Sequence, residues 1–396
     1  MKHSTDRILT THAGRLDGPP DYQEMMRSIM SGGLTGSAVD VSAVKPRVRS
    51  AIVDVVRKQA NAGIDVISDG ELGKIGFGGI GYYGRRLSGL STRKLKPGEP
   101  AFMALETGER IEFADFYKDL NFMAGTDERA ICSGPITYIG QEEVKKDLAD
   151  FRGALAEANV QPEETFMCVL APGWLEHFFH NEHYSNDEAY LFALADAIKH
   201  EYKAIVDNGF VLQIDDPALP DTYDMIVPTP SIADYRKFAE VRVEALNHAL
   251  QGLPEDRIRY HICWGSWHGP HTHDLPLEHV IDLMLRIRAG AYSVEAANVR
   301  HEHEWKLWKS VKLPDGKILI PGVVSHHTNV VEHPELVADR IIRYANLVGR
   351  ENVIGGTDCG MGFRVHPQIA WAKLKVLAEG AALATKELWR AGRSAA

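Results

Sequence analysis

Four cysteines in 396 residues, at positions 132, 168, 263 and 359, are too few and too scattered for a disulfide-stapled scaffold. As reduced thiols they stay available to a metal. No apolar run approaches the roughly 18 residues that a membrane-crossing helix needs. The opening Met1-Lys2-His3-Ser4-Thr5-Asp6-Arg7 has no apolar signal segment, so a cytoplasmic protein without a membrane partner is expected. Excess positive charge is missing too. Lys and Arg number 44 against 54 Asp and Glu, a net charge of −10, which speaks against a nucleic-acid partner. Tandem repeats, low-complexity linkers and a second compact domain are all absent from the pattern.

What is present is a regular alternation of short apolar runs and helical spacings. Apolar content of 44% and charged content of 25% suit a globular protein with an ample core. The runs Ile8–Gly14, Ile64–Ile67, Thr165–Leu170 and Phe210–Ile214 read as four strands. Four more lead to Cys263, to Glu295, over Lys317–Val324 and to Cys359. Helices are expected over Lys45–Ala62, Asp187–Asn208, Ile232 to Gly252, Leu277–Arg288, Pro334–Val348 and Pro367 to about Trp389, several ending at a glycine. Eight strands with helices between them predict an α/β fold, a (β/α)8 TIM barrel. Such barrels run from about 250 to more than 400 residues as one unit, so residues 1–396 are read as a single domain. Residues 72–162 interrupt the rhythm with the glycine-rich Gly73–Gly84, a polar stretch and a strand-turn-helix unit around Ile131–Pro135. This excursion between strands 2 and 3 is expected to cap the barrel mouth.

In a TIM barrel the chemistry sits at the C-terminal ends of the strands, and the unusual polar residues fall there. His12, Asp69, Glu71, Asp215, Asp216, His261, Cys263, Glu295, His327 and Cys359 all close or follow a strand run. His261 and Cys263 are two apart, so a strand presents both on one face. With Glu295 and Cys359 they make a four-ligand set for zinc drawn from three strands. Two thiolates and a carboxylate give zinc a formal charge of about −1, a weak Lewis acid that leaves electron density on a bound substrate thiolate. That ligand set favours alkylation of a thiol over hydrolysis. The leaving atom then needs a proton, which a rim histidine such as His327 can supply.

These residues resemble the cobalamin-independent methionine synthase family, in particular its catalytic C-terminal barrel. The motifs are His261-Ile262-Cys263, Glu295, Asp358-Cys359-Gly360, Asp69-Gly70-Glu71 and Gln213-Ile214-Asp215-Asp216-Pro217-Ala218-Leu219, where Asp216 replaces a family Glu. Cys263-Trp264-Gly265, Gly269-Pro270-His271 and Val331-Glu332-His333-Pro334 look like its short single-barrel branch, which includes epoxyalkane:coenzyme M transferases. The likeness implies zinc on His261, Cys263, Glu295 and Cys359. It also implies homocysteine's ammonium on Glu71 and Asp215, and His327 as general acid beside a reduced folate such as 5-methyltetrahydrofolate. Two positions depart from the pattern. Gly14-Arg15 stands where the family has Gly-Ser, turning a carboxylate site cationic, and Ser325 replaces the Asp that orients the acid histidine. The reading is therefore methyl or alkyl transfer from a small donor to a small thiol acceptor. Zinc-dependent addition of a thiol such as coenzyme M to an epoxide, and a non-catalytic zinc-binding barrel, are the alternatives. A homo-oligomer is left open.

Weaker signals surround this set. His268, His271 and His273 compete as ligands, and Phe178 and Phe179, which follow Trp174, offer rings to a flat donor. Tyr82, Tyr83, Arg85 and Arg86 would close over a substrate anion. His301-Glu302-His303-Glu304 reads as a solvated helix start, and alternation sends His326 to the face opposite His327.

Overall fold

Eight parallel strands form the centre of the molecule, a computed structural model that describes residues 1–30, 44–75, 79–102, 105–120, 127–265 and 267–390. They are β1 (Leu9–Thr10), β2 (Val66–Ser68), β3 (Glu164–Leu170), β4 (Val211–Asp215), β5 (Ile258–His261), β6 (Ala291–Glu295), β7 (Ile318–Val324) and β8 (Ile354–Thr357). Their hydrogen-bonded order is β1-β8-β7-β6-β5-β4-β3-β2, that of a (β/α)8 TIM barrel. All seven residues of β7 are buried, as expected of a strand covered on both faces.

The ring closes between β1 and β2, where β1 is too short for a full ladder. Side chains take over: Thr10 N and Oγ1 donate to Asp65 Oδ2 at 2.8 and 3.0 Å, and Thr11 Oγ1 donates to Val66 O at 3.0 Å. At the other side, the register slips between Gly322 and Val324 where β7 meets β8. A Cβ on Gly322 would lie 2.4 Å from Asp358 Cα, so glycine lets the end of β8 swing inward. Cys359 follows that end.

Helices ring the barrel because each buries an apolar stripe against it. Lys45–Asn61 buries Val48, Ala51, Ile52, Val55 and Val56, with spacing that the sequence already displays. Side chains of Asn186 and Ser231 cap Asp187–Asp207 and Ile232–Ala249. The expected helix over Leu277–Arg288 does not form as one piece. Leu277–His279 is a 3₁₀ turn and Ile281–Met284 a single α turn, with Leu277 N held instead by Glu304 Oε1 at 2.7 Å.

Within the excursion, Gln141–Ala158 is a helix packed against Lys45–Asn61 and Asp187–Asp207, hence a member of the outer ring. Leu90–Lys94 and Glu128–Cys132 pair antiparallel and continue to His180–Asn181 as a small separate sheet. Of the expected Gly73–Gly84 segment, positions 76–78 lie outside the described residues. No helix among the described residues is long and apolar enough to cross a membrane.

Candidate metal centre and active-site cleft

β5 delivers His261 to the barrel mouth opposite Ser293 of β6. Ser293 Oγ meets His261 Nδ1 at 3.1 Å and leaves Nε2 buried without a hydrogen-bond partner. A buried ring nitrogen in that state needs an explanation. Two sulfurs supply it. Cys263 Sγ and Cys359 Sγ lie 3.7 Å apart, far beyond the roughly 2.05 Å of a disulfide, so the two thiols are not cross-linked. The ligand atoms of His261, Cys263 and Cys359 all fall within 4.8 Å of one another. One imidazole and two thiols at that spacing fit a tetrahedral metal site. The Cys359 hydrogen bond and burial push the Cys263 thiol well above its ordinary value, so it would stay protonated until a metal displaced its proton.

Glu295, at the end of β6, stands beside this trio rather than inside it. Its Oε1 accepts from Trp264 N at 3.0 Å and its Oε2 from Asn298 Nδ2 at 2.9 Å. Its ligand atoms group with those of His326 and His327. Burial, then the neighbouring Asp358 and Cys359, lift its carboxyl well above the usual range.

A cleft of about 360 Å³ opens onto His261, Cys263 and Cys359, a size ordinary for small ligands. Glu71, Lys74, Asp215, Arg15 and Arg364 give its lining charge, and Trp174, Phe178 and Phe363 add aromatic surface. Lys74 Nζ donates to Glu71 Oε2 at 2.9 Å. Gln213 Nε2 donates to Asp215 Oδ1 at 2.6 Å, while burial and the nearby Glu71 push the Asp215 carboxyl up to about 7. Glu71 has a left-handed backbone at φ 58 and rests on Gly14, where a Cβ would meet its Oε1 at 2.5 Å.

Residues 175–382, just over half of the chain, match the family described as cobalamin-independent synthase, catalytic domain. The chain belongs to that family. Curated methionine synthases of Thermococcus kodakarensis and Saccharolobus islandicus are each 24% identical to it, over 349 and 400 residues. The first alignment covers 88% of this chain and 86% of the relative, the second 97% of both. A B12-independent methionine synthase from Shewanella sp. W3-18-1, solved with selenomethionine, superimposes with a TM-score of 0.70 at 18% identity. That match spans 97% of this chain and 99% of the other, and it speaks for the fold.

Against the family pattern, the expected site residues divide. His261, Cys263 and Cys359 converge, with Glu71, Asp215 and Arg15 on the same cleft. Gly14 does not line it: its N–H donates to His12 Nδ1 at 3.1 Å, leaving no free donor for a carboxylate. Asp216 turns away to accept from Tyr260 Oη at 2.7 Å. His12 bonds Gln59 at 2.7 Å, and Asp69 accepts from Glu71 N at 3.0 Å, so both are structural. His327 does not line the cleft either. It lies 3.7 Å from Glu295 Oε2, with Ser325 Oγ accepting from its backbone N–H at 3.1 Å.

Four expectations are corrected. Tyr82 and Arg86 do not face a substrate: Tyr82 Oη donates to Glu201 at 2.8 Å and Arg86 pairs with Glu201 and Asp147 in the protein interior. His301 is no solvated helix start but a buried ring stacked 3.7 Å from Trp264 and bonded to Asp274 and Glu304. The His326 ring lies 3.8 Å from that of His327, because β7 ends at Val324 and strand alternation stops there. Phe179 is core, while Trp174 and Phe178 do reach the cleft. Sequence reasoning missed Lys74, Arg364 and Phe363, which all line the cleft. Only Lys74 carried a signal, three residues after Glu71, where one turn of chain brings the two side chains together.

Proposed function

We propose that this protein transfers a methyl group from a small donor to the sulfur of a small thiol, using zinc held by His261, Cys263 and Cys359 with Glu295 completing the set. The observation that carries the reading is the convergence of a buried imidazole and two thiols that form no disulfide, their ligand atoms within 4.8 Å of one another, on the wall of a charged, aromatic-lined cleft. Membership of the cobalamin-independent synthase family supports it. Relatives named methionine synthase support it too, and the motif resemblance makes homocysteine the reference acceptor and a 5-methyltetrahydrofolate-type molecule the reference donor.

A free thiol of pKa about 8.5 is only a few per cent ionised at neutral pH, and zinc supplies the positive charge that makes the acceptor a nucleophile there. The protein's own groups do the rest. Gln213 and Lys74 fix Asp215 and Glu71 beside the metal site, while Trp174, Phe178 and Phe363 offer faces to a flat donor. The proton for the leaving atom is assigned to His327. Burial and the neighbouring His271 hold His327 at about 3, so it is unprotonated at rest. His271 is where that proton is kept. Burial pulls its imidazole down, but Asp274 at 2.9 Å outweighs that and lifts it to about 9. The two rings meet edge-on at 4.8 Å.

The test is to incubate the zinc-loaded protein with thiols and with 5-methyltetrahydrofolate or a methylsulfonium donor, then look for S-methyl products by mass spectrometry. Methylation of any small thiol sustains the proposal. Absence of product at full zinc occupancy would sink it, and thioether formation from an epoxide alone would replace it with addition chemistry.

A further inference from the structure

The loop after β7 carries two histidines, and the chemistry proposed above uses only one. His326 is 0% exposed, and neither of its ring nitrogens has a hydrogen-bond partner among the described residues. A neutral imidazole has one donor and one acceptor, so burying both unmet is costly unless something else bonds them. The His327 ring lies 3.8 Å away, and its Nε2 is buried and unpartnered in the same way. Glu295 completes the group. One ligand atom from each of Glu295, His326 and His327 falls within 4.8 Å of the other two.

Distance separates a hydrogen-bonded cluster from a cation site. Glu295 Oε2 and His327 Nε2 stand 3.7 Å apart, too far for a hydrogen bond. Two ligands of one zinc ion, each bonded at about 2.0 to 2.2 Å, lie up to roughly 4 Å apart. The gap therefore matches a metal ion held between them. Glu295 has capacity for it: a carboxylate offers about four lone-pair sites, and the bonds from Trp264 N and Asn298 Nδ2 leave a site on each oxygen. The backbone bearing the histidines is also fixed. Ser325 N donates to Glu332 Oε1 at 2.8 Å. The buried Lys373 holds the far side of the loop, donating to Val330 O at 2.6 Å and Glu332 Oε2 at 2.8 Å. Ligands supported in this way need little reorganisation to take a metal.

We propose that Glu295, His326 and His327 form a second metal site, for a divalent ion of the zinc type, beside the one on His261, Cys263 and Cys359. Two imidazoles and a carboxylate suit zinc and its first-row neighbours. The set has no thiolate, and an ion already at the first site repels a second dication. The second site is therefore the weaker and fills only when metal exceeds one ion per chain. Its consequence rests on the methyl-transfer reading given above. An imidazole ligates a metal only in its unprotonated form, so an ion on His327 takes away the acid that serves the leaving atom. Occupation of the second site is inhibitory.

Cobalt(II) added to protein that already holds one zinc tests this without turnover. Cobalt on thiolates gives intense sulfur-to-metal charge transfer, whereas cobalt on nitrogen and oxygen alone gives only weak d–d bands. A second equivalent should bind with d–d absorption and no charge transfer. His326→Phe keeps a ring against His327 but offers no nitrogen. It should weaken the second ion roughly 100-fold or more while the first zinc stays bound, and His327→Ala should do the same. In turnover, zinc beyond one equivalent should slow methyl transfer from a donor that departs as an amine and leave a sulfonium donor unaffected. His326→Phe should abolish that inhibition. Saturation at one metal per chain would overturn the proposal, as would a second ion that brings charge transfer or ignores both substitutions. S-methyl product formed in those cases would leave the methyl-transfer reading intact. A second ion lost with His326→Phe, in a protein that alkylates no thiol, would sustain the site and remove only its inhibitory role.

Discussion

Cys263 and Cys359 bring their sulfurs to 3.7 Å although they follow β5 and β8, strands with β6 and β7 between them. Only the curvature of a closing barrel, sharpened where Gly322 admits Asp358, makes such neighbours. The arrangement predicts one zinc per chain. Cys263→Ser and Cys359→Ser should each cost more metal affinity than the roughly 10- to 100-fold lost with a residue that only orients a ligand. Competitive zinc titration with a chelator measures this, with circular dichroism to show that the barrel persists. Glu295→Gln is the discriminating variant. As fourth ligand it should match the cysteines, whereas a loss inside the 10- to 100-fold range would mean that Glu295 merely steadies the site through Trp264 N.

Gly14 separates a structural demand from a ligand-binding one. Its φ is 119, and a Cβ there would lie 2.5 Å from both Cys168 Sγ and Glu71 Oε1. Gly14→Ala should therefore cost roughly 2 to 4 kcal/mol of stability from strain and overpacking. Acceptor affinity should fall with it, because Glu71 is displaced and Lys74 follows. A denaturant titration showing no loss would mean that the backbone relaxes freely at this point.

The interior network around Arg86 gives a prediction of the opposite kind, large for stability and small for chemistry. Glu201 accepts from Tyr82 and Tyr138, each at 2.8 Å, and faces Arg86 at 3.2 Å. Glu201→Gln removes one of the two carboxylates that compensate a buried guanidinium, Asp147 being the other, at roughly 1 to 3 kcal/mol. Calorimetric unfolding should show that loss while the KM for the thiol stays put. A shifted KM would return these residues to the substrate.

His177 makes the stability pH-dependent in a defined window. It is buried, stacked 4.3 Å from Trp174, and burial holds its imidazole at about 3. Its folded pKa is therefore below the unfolded value of about 6.5, so the unfolded chain binds more protons between those limits. Stability must fall as pH drops through 6.5. His177→Phe keeps the stack and removes the titration. Between pH 7.5 and 4.5 the wild type should lose about 2 to 3 kcal/mol relative to the variant. A constant difference across that range would show that the fold leaves the His177 pKa at its unfolded value.

Much of this molecule is legible from residue order. Apolar runs closing on polar residues give the eight strands, and His261, Cys263 and Cys359 are recognisable because strand ends must share one rim. What escapes is set by packing that no periodicity records. Asp216 follows Asp215 directly, yet one faces the cleft and the other Tyr260, because successive residues leaving a strand part company. Arg364 reaches the cleft through the loop after β8, whose path depends on backbone bonds to Arg15. The Leu277–Arg288 stretch divides into a 3₁₀ turn and a single α turn, and the bond from its first amide to Glu304, distant in sequence, is a contact that spacing cannot show.

The last prediction concerns the proton. His327 stands 3.7 Å from Glu295 and edge-on to His271 at 4.8 Å, the ring that Asp274 keeps protonated. If this pair serves the leaving atom, His327→Ala and His271→Asn should each lower turnover by roughly 10² to 10⁴ with a donor that departs as an amine. Zinc content and thiol affinity should not change. A sulfonium donor leaves as a neutral thioether and needs no proton, so its turnover should fall far less. The pH profile supplies a second reading. The protonated form is the working one, so activity with the amine donor should decline as pH rises through about 9. Asp274→Asn removes the partner that lifts His271, and the decline should then begin at lower pH. Equal losses with both donors, with the decline unmoved by Asp274→Asn, would show that these histidines hold the site in shape and that the proton comes from elsewhere.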